Sequence, residues 1–283
     1  MAKQRAVMQA LGPKIIPFRD RVEAWVMQLG EGTLPNVVAP GTNLDAIATS
    51  PGVYLRLRVA NAKDAPTLRA AAVNSLRDGF TSCLFVRHEE TNGKECKRPV
   101  DCSGGQICND WGVCARPSQP YNLRLLYRTL RILSSEWTDD LHRASTDLQV
   151  RAFELELDAI TKNDVPVSIE LLSRARYFTA VLDEDPPSGI PEALTDDKGK
   201  ANESMEERVQ RTPHPARVGI WDLRDNKLVL RLRATAGGDF VPMGMRSAAS
   251  PVTVAAEQRQ VNSCALALDV KDAIGAAVAA PAP

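Results

Sequence analysis

Four cysteines, Cys96, Cys102, Cys108 and Cys114, recur at identical six-residue steps in the stretch KECKRPVDCSGGQICNDWGVCARP. Thiols at this density are held either by a metal ion or by one another. A structural zinc site usually draws its ligands from close pairs, so that one tight turn offers two sulfurs to a tetrahedral ion. Here every gap holds five residues and no close pair exists. The gaps are filled with turn formers, Pro99, Ser103, Gly104, Gly105, Asn109, Asp110 and Gly112, which suit a knot of short loops. The spacing therefore predicts disulfides and no bound metal. Four cysteines admit three connectivities. The expected one is interleaved, Cys96 with Cys108 and Cys102 with Cys114, because it ties successive turns into one unit, each bridge closing a loop worth about 3 kcal/mol.

The residues Asp101-Cys102-Ser103-Gly104-Gly105-Gln106-Ile107-Cys108, followed by Gly112-Val113-Cys114, resemble the short D-C-x-x-G-Q-x-C…G-x-C modules of bacterial lipoproteins and cell-surface proteins. The resemblance covers about twenty residues and implies an oxidising compartment, with no activity attached. Two further cysteines, Cys83 and Cys264, remain. In an exported chain they are expected to pair with each other, tethering a C-terminal helix to the first half of the body. The loop of about 180 residues would give an entropic effect near 5 kcal/mol.

Lys plus Arg equals Asp plus Glu at 35 each, which argues against a protein that finds nucleic acid by its charge. Apolar residues make up 44% of the 283, enough for a sizeable core. No uninterrupted apolar run reaches the ~18 residues of a membrane span. The opening MAKQRAVMQALGPKIIPFRD lacks the apolar core of a signal peptide. An exported protein would then have lost its signal, with any lipid anchor lying outside this chain.

The chain reads as a single α+β domain over 1–283, a small antiparallel sheet covered by helices, with the disulfide-knotted insertion at 95–117. A helix over 2–11 is expected to stop at Gly12-Pro13, with a second opening at Pro17. Strands are expected at 53–60, 82–87, 218–223 and 228–235. In the last pair Asp225-Asn226 makes the turn, Leu223 faces Leu228 and Trp221 faces Leu230. Asp64 is a candidate N-cap with Pro66 in the first turn behind it. Residues 123–182 read as helical. One stripe is Leu123, Leu126, Tyr127, Leu130, Leu133 and Trp137; a second is Leu141, Leu148, Ala152, Leu155 and Ala159, where the alternation of Phe153, Leu155 and Leu157 with Glu154, Glu156 and Asp158 makes a strand the runner-up; a third is Ile169, Leu172, Ala175, Phe178 and Leu182. Residues 185–215 are rich in proline and charge and read as a mobile loop. A C-terminal helix carries Val254, Val261, Cys264, Leu268 and Ile274, ahead of a low-complexity tail at 276–283.

Catalytic and cofactor signatures do not emerge. His88, His142 and His214 lack partners at metal-ligand spacing, and no phosphate loop or dinucleotide fingerprint occurs. Asp139-Asp140, Asp183-Glu184-Asp185 and Asp196-Asp197 lack the alternating ligands of a calcium loop. Arg56, Arg58, Arg231 and Arg233 on strand faces form either a basic ridge for an anionic partner or a set of locally paired charges. The function expected is that of a non-enzymatic exported envelope or surface protein, periplasmic or at the cell surface and open to anchoring as a lipoprotein, that binds a protein partner in the cell envelope. The alternative is an extracytoplasmic hydrolase whose catalytic carboxylates are scattered in the sequence.

Overall fold

The computed structural model describes residues 2–32, 34–75, 79–85, 91–97, 101, 107–108, 113–115, 121–132, 134–184, 213–236 and 251–279. The chain opens with helix α1 (Ala2–Gly30), followed by β1 (Val37–Val38), α2 (Leu44–Thr49), β2 (Gly52–Arg58), α3 (Ala65–Ala72) and α4 (Phe80–Leu84). Three short strands come next, β3 (Thr91–Glu95), β4 (Ile107–Cys108) and β5 (Val113–Ala115). Then follow β6 (Tyr121–Asn122), α5 (Arg124–Arg131), α6 (Ser135–Arg143), α7 (Asp147–Ala159), α8 (Val165–Arg174), β7 (Tyr177–Asp183), β8 (His214–Asp222), β9 (Lys227–Ala236) and α9 (Pro251–Ala279).

The fold class is α+β. Its main sheet is six-stranded in the order β1-β9-β8-β7-β2-β6. Antiparallel pairs join β1, β9, β8 and β7, whereas β2 runs parallel to β7 and β6. Helices cover both faces. On one, α1 packs Val22, Val26 and Leu29 against Leu55, Phe178, Leu182 and Trp221. On the other, α4 and α9 pack Phe80, Leu84, Leu266 and Val270 against Val181, Val218, Ile220 and Leu230.

Several elements depart from the sequence reading. Pro13 and Pro17 lie inside one continuous α1 in place of a break at Gly12-Pro13: each proline lacks an N–H, and burial of Ile15, Phe18, Val22 and Val26 holds the helix through that loss. The predicted strand 82–87 is instead entered by helix α4, which carries Cys83. The third helical stripe ends at Arg174, and Phe178 and Leu182 belong to β7. Every residue of β7 is buried, as befits an inner strand with helices above and below, and such a strand shows no alternation. The hairpin register also shifts. Trp221 faces Leu228, Asp222 faces Lys227 and Leu230 faces Ile220, with a bulge between Ile220 and Trp221. The turn is set by Asp222 Oδ1, which accepts from Arg224 N and Asp225 N, and by Asn226 at φ 54°; Asx capping and a left-handed Asn are ordinary turn chemistry. Residues 185–212 of the expected mobile loop lie outside the described residues, while His214 and Pro215 already belong to β8. Residues 276–279 of the expected tail continue α9, and 280–283 lie outside the described residues. Of the residues expected along the last helix, Ile274 is buried but Leu268 is 53% exposed; Ser263, Leu266, Ala267 and Val270 are buried in its place.

Asp64 does cap α3, its side chain accepting from Thr67 N with Pro66 in the first turn. The disulfide between Cys83 and Cys264 is present and joins α4 to α9 across 181 positions. In the insertion, β3, β5 and β4 form a separate three-stranded sheet. Cys96 and Cys114 are both disulfide-bonded and buried, and Cys108 stands opposite Cys114 in the β4–β5 pair. Cys102 lies outside the described residues, and with it the expected interleaved pairing.

Candidate functional site

The edge strands β1 and β6 are two residues each, and beyond their ends side chains bond the backbone of β9 and β2. Next to β1, the N–H of Arg233 donates to Asn36 Oδ1 and that of Thr235 to Asp269 Oδ2. On the far side, Arg56 N donates to Ser75 Oγ, which donates back to Arg56 O, while Asn122 Nδ2 donates to the same hydroxyl. At these positions side chains take the hydrogen bonds that an incoming strand would need.

The four arginines of the sequence reading separate into different environments. Arg56 is wholly buried under α9. Its Nε and Nη2 donate to Asp183 at 2.9 and 2.7 Å, and its Nη1 donates to Ser263 Oγ at 2.7 Å. His214 Nε2 stands 3.1 Å from Asp183 Oδ1. A serine, a histidine and an aspartate therefore share one cluster, the residue types of a hydrolase. However, Arg56, Asp183, His214 and Ser263 are between 0 and 2% exposed, so substrate has no approach. Burial alone would raise the Asp183 carboxyl; the Arg56 charge and the His214 hydrogen bond outweigh it and hold the group well below the usual carboxylate range. The cluster is a buried ion pair to which Ser263 and His214 Nε2 are hydrogen-bonded.

Arg231 and Arg233 lie on the opposite face, where the C-terminal end of α1 and residues 31–32 and 34–36 lie against β8 and β9. Two joined hollows open there. One, of about 290 Å³, is lined by Leu29, Leu34, Glu184, Arg217, Arg231 and Arg233 among others. Its neighbour, of about 220 Å³, is lined by Trp25, Gln28, Trp221, Asn226, Leu228 and the same Arg231. Arg233 makes a two-pronged bond to Glu184, at 3.0 and 2.7 Å, and Arg217 Nε donates to Glu184 Oε1 at 3.0 Å. Glu184 is held below its ordinary range, first by the Arg233 hydrogen bond and then, against the opposing effect of burial, by Arg217. Arg217 Nη1 also donates to the carbonyls of Leu29 and Gly30, the negative end of the α1 dipole. Arg231 differs: its Nε donates to Pro35 O at 3.1 Å, and it makes no ion pair among the described residues. Three guanidinium groups against one carboxylate leave the hollow with surplus positive charge, and Arg231 stands where its two lobes meet.

The wall of the smaller lobe is rigid. Trp25 and Trp221 stack with centroids 5.5 Å apart and planes 3° from parallel, and Phe178 stacks on Trp221 at 5.5 Å. Arg21 lies over Trp25 at 5.5 Å and donates to Asn226 Oδ1. Sequence reading finds Arg231 and Arg233, sees Glu184 only within an acidic run, and misses Trp25 and Arg217 as site residues. The i+4 recurrence of Trp25 in α1 read as core, and the position of Glu184 after β7 was hidden while β7 itself read as helix.

A third feature is an uncovered helix face. The stripe Leu148, Ala152, Leu155 and Ala159, expected in the core, points outward; Leu148 is 80% and Leu155 59% exposed. Helix α7 instead docks by its opposite side, with Leu157 buried, Phe153 edge-on to Trp137 and Glu156 accepting from Trp137 Nε1 at 3.1 Å.

Comparison with protein-family models, with curated proteins and with solved structures finds no match. The functional conclusion therefore rests on the geometry of these three features.

Proposed function

We propose that this chain is a non-enzymatic exported protein of the cell envelope or cell surface that binds an acidic segment of a protein partner in the hollow around Arg231. The observation that carries the reading is the Arg231 guanidinium, placed between two lobes with apolar walls and paired with no carboxylate among the described residues. Leu29, Leu34 and Leu228 suit aliphatic side chains, while the surplus charge suits Asp or Glu between them. The Cys83–Cys264 disulfide supports an extracytoplasmic location, as does the resemblance of the cysteine-rich insertion to lipoprotein modules. No helix among the described residues is long and apolar enough to cross a membrane. A hydrolase reading would require carboxylates sharing an open cavity; Asp183 is enclosed and Glu184 is neutralised by two arginines.

The test is a titration followed by tryptophan fluorescence, using an acetylated peptide of alternating Asp and Leu and a control with Asn for Asp. The expected result is saturable binding of the acidic peptide, weakened by salt as Debye screening requires, and lowered about tenfold by Arg231→Ala, equivalent to about 1.4 kcal/mol. Equal binding of both peptides, or none, overturns the proposal.

A further inference from the structure

Arg217 and Arg233 stand directly opposite each other on β8 and β9. Like charges in such a cross-strand pair repel, and Glu184 resolves the conflict: the Nε–H groups of both arginines donate to its carboxylate, together with Arg233 Nη2. The strand period aims Glu184 at them. Asp183 turns to the α9 face, where Arg56 holds it, so its successor turns to the hollow. The Glu184 N–H donates to Pro215 O at 3.0 Å, which fixes the backbone, and the side chain is only 16% exposed. The Arg217 and Arg233 pair is thus a carboxylate seat that the chain fills from within.

Arg231 has a different neighbour. Two residues back along β9 from Arg233, it faces Gly219, which offers no side chain, and the indole of Trp221 lies over that glycine. With Nε on Pro35 O, its two terminal nitrogens have no partner among the described residues. They form a fork of the kind that takes a carboxylate in two parallel bonds. An acid seated there has Leu29 and Leu34, which line both lobes, and Leu228 around it, surfaces that favour apolar side chains at the neighbouring positions. A second acid reaching into the larger lobe meets arginines already committed to Glu184 and a carboxylate of its own sign, an element of rejection as much as of lost attraction. We infer that Glu184 is the specificity-determining residue of the hollow: by filling the seat on Arg217 and Arg233 it restricts the partner's segment to an isolated Asp or Glu on Arg231, flanked by apolar residues, and rejects runs of acids. This rests on the reading of the hollow as the site of an acidic segment and adds which segments it accepts.

The test compares two acetylated, amidated peptides, one centred on Leu-Asp-Leu and one on Asp-Asp-Asp, titrated by calorimetry into the intact, unreduced chain at about 0.15 M salt, where distant charges are screened. Wild type is expected to bind Leu-Asp-Leu about fivefold tighter or more, a preference that needs no variant to measure. Glu184→Gln keeps the side chain's shape, removes its charge and frees the seat, so the ratio of the two affinities should fall about tenfold. Adding Arg233→Gln removes the seat itself and should restore most of the ratio. Glu31→Gln is the control for diffuse charge: it removes an exposed carboxylate beside the end of α1 that makes no ion pair among the described residues, and should leave the ratio within about twofold. Circular dichroism confirms that each variant is folded. Wild type that binds Asp-Asp-Asp as tightly as Leu-Asp-Leu, a ratio indifferent to Glu184→Gln, or an equal shift from Glu31→Gln overturns this inference while leaving the Arg231 site in place. Wild type that binds neither peptide overturns the reading of the hollow, and this inference with it.

Discussion

The indole of Trp221 lies directly over Gly219, two residues earlier on the same strand, so closely that a Cβ on Gly219 would come within 2.2 Å of Cη2. Gly219 and Trp221, two apart on β8, share one face of the strand, at the point where the ladder skips Val229 of β9, and only a residue without a side chain leaves room beneath the indole. The stack of Trp25 on Trp221, and with it one wall of the Arg231 hollow, depends on this contact.

Gly219→Ala is therefore expected to lower stability by about 1 to 3 kcal/mol, the usual cost of overpacking, and to shift the tryptophan emission as the stack opens. Chemical denaturation followed by fluorescence checks both. An unchanged midpoint with unchanged emission would mean that the indole does not rest on Gly219.

Replacing Cys83 and Cys264 together by alanine should cost about 2 to 5 kcal/mol, since the bridge closes a very long loop and fastens α9 over the second core. Thermal unfolding of the double variant without reductant gives the measurement. Alkylation of either cysteine in unreduced, denatured wild-type protein would contradict the bond itself.

The Arg56–Asp183 pair predicts a pH dependence. Asp183 binds its proton far less readily folded than unfolded, so its contribution is fully present well above the unfolded carboxylate pKa of about 3.9 and is lost as pH falls below it. Urea unfolding should show stability declining from about pH 5 downward, Asp183 contributing up to about 1.4 kcal/mol per pH unit below 3.9. Asp183→Asn should flatten that decline while destabilising the protein by about 3 to 5 kcal/mol at pH 7, because Arg56 is left buried without its counter-charge. An equally steep acid limb in the variant would assign the dependence to other groups.

Tyr127 buries its hydroxyl with no hydrogen-bond partner among the described residues. Removing a polar atom that has lost water and gained nothing is favourable, so Tyr127→Phe should raise stability by up to about 1 kcal/mol. A loss of that size instead would reveal a partner for the hydroxyl.

Local chemistry was legible in the sequence: the Asp64 cap, the Asp225-Asn226 turn region and the pairing of the two cysteines left over by the insertion. Strand β7 was not. Phe178 and Leu182 stand four apart and mimic a helical face, and burial of every residue from Tyr177 to Asp183 removes the alternation that marks a strand. The stripe on α7 was found but assigned to the wrong side. Leu148 and Leu155 make one apolar line and Phe153 and Leu157 another, and only packing against Trp137 decides which is inside. The candidate site was half legible, because Arg231 and Arg233 were visible on one strand. Their unequal fate depends on Glu184 emerging at the end of β7 and reaching Arg233 across β8, a relationship of tertiary structure with no local signal.

The most direct test of the Arg231 hollow as the binding site is an NMR titration of uniformly ¹⁵N-labelled protein with the acidic peptide, following the indole N–H signals assigned by Trp→Phe variants. The signals of Trp25 and Trp221, which line the smaller lobe, should move together and saturate, while that of Trp137, bonded to Glu156 and buried against α7, stays fixed. Binding that moves Trp137 and leaves Trp25 and Trp221 in place would contradict the account.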